Sequence, residues 1–153
     1  MRFITTACAA SLLALSFGTS AIADGHVASA IKERQESMKG YGKALGVLGN
    51  MAKGANPYDA AAASAAADQL AKLANMDHSD FWPEGSDISV KGSRALPKLF
   101  ENLEDVKAIE AKLAAASTAM AAVAGDGLPA VQGAIGGIGA ACGECHKAYR
   151  QPK

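Results

Sequence analysis

The chain has 153 residues, enough for one domain and too few for two of ordinary size. Its 15 Lys and Arg are matched by 15 Asp and Glu, a balance that argues against a nucleic-acid partner, which needs a basic face. Half of the residues are apolar, which excludes a disordered chain. Yet 35 are Ala and 8 aromatic, a helix-favouring balance that excludes a sandwich, a barrel or a large sheet.

Residues 1–23 read as a secretory signal peptide. Arg2 is the only charge before Asp24, a short apolar stretch from Phe3 to Phe17 follows it, and Ala21-Ile22-Ala23 is a small-x-small cleavage pattern. The stretch is too short for a comfortable membrane span, so a retained anchor helix fits it poorly. The expected mature domain is 24–153, located in the periplasm and without stable membrane insertion. Loss of Arg2 leaves 14 basic and 15 acidic residues there, a formal charge of −1. Cys142 and Cys145 are the cysteines it keeps.

A first helix is predicted from about Val27 to Met51. Ile31, Arg34, Met38, Tyr41, Leu45 and Leu48 alternate at spacings of three and four and form one stripe. Lys53-Gly54-Ala55 ends it. Asn56 reads as the next N-cap, with Pro57 at the first helical position and Asp59 in the first turn. An Ala-rich helix carrying Leu70 and Leu73 then runs to about Asn75. From Met76 to Pro97 several Pro, Gly, Ser and Asp predict a long irregular connection, the kind that carries function or crosses another element. Asn102 caps a third long helix to about Val123, marked by Leu103, Val106, Ile109, Leu113 and Met120. After Ala124-Gly125-Asp126-Gly127 a fourth starts near Pro129. The expected fold is all-α, an antiparallel four-helix bundle. Its Ala and Gly supply little area, so hydrophobic stabilisation at about 25 cal/mol per Å² is thin, and a bulky apolar group in the core would compensate.

Cys142-Gly143-Glu144-Cys145-His146 is C-x-x-C-H, the attachment signature of a c-type haem. On a helix, positions i, i+3 and i+4 share a face. Two thiols can then meet the two vinyl groups of one porphyrin edge, while His146 reaches the iron through a ring nitrogen. A thioredoxin-like pair lacks its βαβ context, a zinc site lacks further ligands, and a plain disulfide leaves His146 without a role. Gly133, Gly136, Gly137 and Gly139 upstream point either to a planar group close to the backbone or to a locally broken helix. Met38 lies on the inward stripe of the first helix and is a soft thioether ligand; Met51, Met76 and Met120 compete with it. Arg34, on the same stripe, needs an anionic partner or a solvated place at the bundle end. His26 and His78 are expected at the surface and Trp82 as packing.

The chain resembles the class II cytochromes c, the cytochrome c prime family, over essentially the whole of 24–153. The resemblance rests on Arg34-Gln35, Met51-Ala52-Lys53-Gly54, Pro57-Tyr58-Asp59-Ala60-Ala61, Ala95-Leu96-Pro97 and Cys142-Gly143-Glu144-Cys145-His146-Lys147-Ala148-Tyr149-Arg150. Leu99-Phe100 replaces an Ile-Trp pair common in that family. The resemblance implies one covalent haem c and a haem propionate as the partner of Arg34 and Gln35. It also implies a division by the residue four after the arginine, methionine marking the low-spin branch. That residue is Met38. The expected function is therefore a periplasmic monohaem electron carrier with His146 and Met38 on the iron, and no enzyme. The alternative is a five-coordinate, high-spin protein that binds nitric oxide or carbon monoxide. Redox proteins are the expected partners, with Lys147 and Arg150 as a basic rim, and a homodimer is compatible with Ala-rich helices. Mass spectrometry of the exported protein should find a polypeptide beginning at Asp24 and heavier by one haem; bare polypeptide would refute the reading.

Overall fold

The computed structural model describes residues 20–152, with side chains from Gly25 onward. The expected leader lies outside the described residues, except that 20–23 are helical backbone. Four long helices are present: α1 (Ser20–Ala52), α2 (Ala60–Ala74), α4 (Leu103–Val123) and α5 (Leu128–Tyr149). A one-turn helix, α3 (Pro97–Phe100), and a 3₁₀ turn at Ser79–Phe81 lie in the connection between α2 and α4. No described helix is long and apolar enough to cross a membrane.

The helix boundaries follow local chemistry. Gly54 turns the chain after α1 with φ 74°, a conformation only Gly adopts cheaply. The amides of Gly54 and Ala55 return to the carbonyls of Met51 and Asn50. The start of α2 differs from the sequence prediction. Asp59, not Asn56, is the N-cap; its carboxylate accepts from the Ala62 amide at 2.7 Å. Asn56 and Pro57 belong to the loop. Asn102 does precede α4, but its amide donates to the Lys98 carbonyl instead of capping. Glu104 and Asp105 in the first turn complement the positive end of that helix. Pro129 sits in the first turn of α5, where its missing N–H costs nothing.

Each long helix packs against two others, α1 and α4 both against α2 and α5. Polar ties fix the antiparallel sense. Gln132 at the start of α5 donates to the Ala52 carbonyl at the end of α1. Tyr58, just before α2, donates to the Ala124 carbonyl after α4 at 2.8 Å and accepts from the Gly127 amide at 3.1 Å. The result is the antiparallel four-helix bundle.

Its core has two parts. Leu48, Met51, Leu70, Met120, Val131 and Ile138 pack with many alanines along the bundle. Leu99, Val106, Ile109 and Tyr149 form a smaller cluster under the long connection. That connection leaves α2 and returns to α4 at the same end, passing over the N-terminal half of α1 and the end of α5. It is pinned there by a two-residue antiparallel bridge between Ala95 and Arg150, with the Leu96 amide on the Tyr149 carbonyl and the Gln151 amide on the Arg94 carbonyl. Tyr149 also donates its hydroxyl to Asp105.

Two predictions follow from these ties. Tyr58→Phe removes two hydrogen bonds of about 1 kcal/mol each and should lower the urea midpoint with an unchanged m value. Tyr149 is pushed up to about 12 by its hydrogen bond to Asp105 and then by burial. The folded state thus keeps a proton that the unfolded chain releases near pH 10, so stability should fall as pH rises from about 10 to about 12. In Tyr149→Phe this alkaline decline should be shallower in chemical denaturation.

Candidate haem site

A cavity of about 640 Å³ opens between α1, α5 and the long connection, within the size range of small-molecule sites. From α5, Cys142, Cys145 and His146 line it; from α1, Arg34, Gln35, Ser37, Met38 and Tyr41 do so. Phe81, Leu99, Ile109 and Leu113 supply much of its apolar surface. The structure therefore brings every sequence-predicted site residue to one place.

The α5 wall is a consequence of helical pitch. The two thiols, one turn apart, are half-buried and not joined to each other. Burial pushes the Cys142 thiol up, and burial with the carboxylates of Glu110 and Asp105 pushes Cys145 up to about 11. Both are held as neutral thiols. His146 is lowered by burial first, then by the positive charges of Arg150 and Arg94, which favours the neutral imidazole that can bind a metal. Among the described residues no group of three or more His, Cys, Asp and Glu is placed to hold a bare metal ion.

The glycines of α5 correct the sequence reading. Gly133, Gly136 and Gly139 are exposed, and a Cβ at each would meet open space; none lines the cavity. Gly137 faces Ala116 of α4, where a Cβ would make a 3.4 Å contact. They neither cradle a planar group nor break the helix, which is continuous from Leu128 to Tyr149.

Of the α1 wall, Met38 is 42 % exposed, so it stands at the cavity rather than within the packed core. The competing methionines lie elsewhere. Met51 and Met120 are core residues, and Met76 lines a neighbouring cleft that shares His78, Trp82 and Glu110 with the cavity. Arg34 is 6 % exposed, so the solvated alternative fails. Its guanidinium donates to Ser86 Oγ at 3.1 Å, to the Ser86 carbonyl at 2.8 Å and to Ser93 Oγ at 3.4 Å, and stacks 4.8 Å from the Trp82 ring centroid. It has no carboxylate partner among the described residues, and desolvation lowers its pKa. Gln35 donates to the Gly92 carbonyl at 2.7 Å.

Sequence reasoning missed part of the site. His78, expected at the surface, is half-buried beside the cavity, its Nε2 3.1 Å from the Leu73 carbonyl and its Nδ1 3.8 Å from Glu110. Glu110 also accepts the Trp82 indole N–H at 3.1 Å. Ser37 and Tyr41, each 6 % exposed, have hydroxyls with no hydrogen-bond partner. Their helical spacing was legible; their lack of partners was not.

These residues fit a haem c: neutral thiols and a neutral imidazole at attachment spacing, an apolar cavity, and a buried cation facing it without a counter-charge. The comparisons agree. A family model described as Cytochrome C' matches residues 29–150. Cytochrome c-554 of Cereibacter sphaeroides is 42% identical over 108 residues, covering 70% of this chain and 71% of its own. Cytochrome c' of Allochromatium vinosum is 35% identical over 154 aligned positions, covering 98% of this chain and 99% of its own. The solved cytochrome c' of Thermochromatium tepidum superposes with a TM-score of 0.77 at 32% identity, over 82% of this chain and 97% of that one. The chain belongs to the cytochrome c' family, and its cofactor is one covalently attached haem c.

Proposed function

We propose that this protein is a periplasmic cytochrome whose mature domain, residues 24–153, carries single electrons with the iron held by His146 and Met38. The observation that carries the reading is that Met38 is the one methionine lining the cavity, on a different helix wall from the C-x-x-C-H residues. Bound in this cavity, the haem supplies an iron that passes between ferric and ferrous states. The protein's part is placement. Cys142 and Cys145 would hold the haem covalently, their thiols one turn apart on the α5 wall of the cavity. His146, kept neutral by its surroundings, presents a ring nitrogen from α5. Met38 presents a soft sulfur from α1, and a His/Met pair raises the reduction potential. Arg34, buried without a carboxylate, and its neighbour Gln35 would meet the haem propionates. We assign the protein carriage of electrons and no chemical transformation of a substrate. Redox proteins would approach the rim at Lys147 and Arg150.

A second reading has its own support. The matching family model is that of cytochrome c', and a cytochrome c' variant from Alcaligenes xylosoxidans, 27% identical with a TM-score of 0.72, is solved in the ferrous state with nitric oxide bound. In that reading the iron is five-coordinate and takes up a diatomic gas. Another solved relative, 32% identical, shows ligand-controlled dimer dissociation, so a homodimer responsive to ligand belongs with this reading.

Absorption spectroscopy separates the two. Under the first, the ferrous protein is low-spin and inert to carbon monoxide, and Met38→Ala becomes high-spin and binds it. Ready uptake by the unsubstituted protein, or an unchanged spectrum in Met38→Ala, would move the assignment to the second.

A further inference from the structure

We propose that His78 and Glu110, in the wall between the haem cavity and a neighbouring surface cleft, form a proton-binding site whose occupancy is coupled to the redox state of the haem. The inference rests on the electron-carrying reading only in that the iron changes charge, not on which group holds the sixth coordination position.

The cleft, of about 380 Å³, is lined by Met76, Asp77, Ser79 and Lys107 and shares His78, Trp82 and Glu110 with the haem cavity. The three shared residues are thus a partition, with the haem on one side and a way to solvent on the other. The side chains of His78 and Glu110 are 12 % and 26 % exposed. Hydrogen bonding fixes the roles of the two ring nitrogens. A carbonyl oxygen only accepts, so Nε2, 3.1 Å from the Leu73 carbonyl, carries the proton of the neutral ring. Nδ1 is then the basic nitrogen, and it lies 3.8 Å from Glu110 Oε1. Imidazole is the side chain that ordinarily changes charge near neutral pH. A proton added to Nδ1 turns the contact into an ion pair and takes the two residues from one negative charge to none.

The charge of Glu110 reaches the walls that face the haem. Burial, then this carboxylate, raises the Cys145 thiol, and Glu110 adds to the rise of the Tyr41 phenol behind burial and Cys142. An electron passed to the iron by a one-electron donor brings a negative charge into the same cavity. Charges attract far more strongly in a low-dielectric interior than in water. Reduction therefore tightens the hold of the pair on a proton, taken from water through the cleft. Oxidation sends the electron to its acceptor and the proton back to water.

The groups around the pair keep their charge through the neutral range. From α1, Arg34 stays a cation, and burial keeps the Tyr41 phenol neutral. From the connection, hydrogen bonds from Ser79 hold the Asp77 carboxyl low, so it stays ionised. From α4, Lys107 is raised by Glu104 and stays a cation. From α5, Cys142 and Cys145 are uncharged as thiols and as thioethers alike.

Spectroelectrochemistry of the holoprotein from pH 5 to pH 8 is the test. The reduction potential should fall as pH rises, the reduced protein holding the proton roughly tenfold more tightly, which equals a total fall of about 59 mV. His78→Gln should flatten the curve near the value the unsubstituted protein reaches at pH 8, because Glu110 stays anionic there. Glu110→Gln should raise the potential at pH 8 and move the step to lower pH, since the imidazolium loses its carboxylate. An indicator dye in weak buffer should register proton uptake on reduction of the unsubstituted protein and none in His78→Gln. A potential independent of pH, or a slope that persists in His78→Gln, would overturn the proposal; the second result hands the proton to another group such as a haem propionate. Where His78→Gln does not load haem, a step left in place by Glu110→Gln has the same force. Each of these failures leaves electron carriage intact, whereas an iron that does not cycle between ferric and ferrous states would sink both readings.

Discussion

The pitch of the α-helix is the constraint on which this site depends. At 3.6 residues per turn, positions three and four apart return to one face. On α5 that places Cys142, Cys145 and His146 on one wall. On α1 it places Arg34, Met38 and Tyr41 on another. Antiparallel packing brings the end of α5 beside the early turns of α1, and the two walls enclose one cavity. The meeting of Cys142, Cys145 and His146 with Arg34 and Met38 around one cavity is then a consequence of two helical faces packing together.

The connection between α2 and α4 closes what the helices leave open. Its grip on α1 is the Arg34 guanidinium, held by neutral oxygens of Ser86 and Ser93 and by the face of Trp82. A buried cation with only neutral partners carries an uncompensated desolvation cost. An anionic group at this place would offset that cost. Trp82 joins this cation to a second polar group, since its indole N–H is on Glu110. Trp82 therefore packs, as expected, and also relays position between the connection and α4.

The alanine-rich composition has a matching consequence. Ala63, Ala66, Ala67 and Ala124 let the helices of the bundle approach closely, and few large side chains remain to fill the site end. A covalent macrocycle supplies bulk there that the polypeptide does not. The exposed glycines of α5 lie outside this logic, except Gly137, which permits close contact with α4.

Sequence alone determined the elements and the chemistry-bearing motif. Hydrophobic period, the glycine stop after α1 and the spacing of C-x-x-C-H are local properties, set by backbone geometry within a few residues. The tertiary structure decided the rest. Asp59, not Asn56, became the cap, and Tyr58 beside it ties the loop to the turn between α4 and α5, a contact 66 residues distant in the chain. His78, Glu110 and Trp82 met because the connection folds back over the bundle. Ser37 and Tyr41 became unpaired buried hydroxyls only when the neighbouring helices and the connection excluded water without offering partners. Period tells which way a side chain faces; only the packed neighbours determine whether anything there answers it.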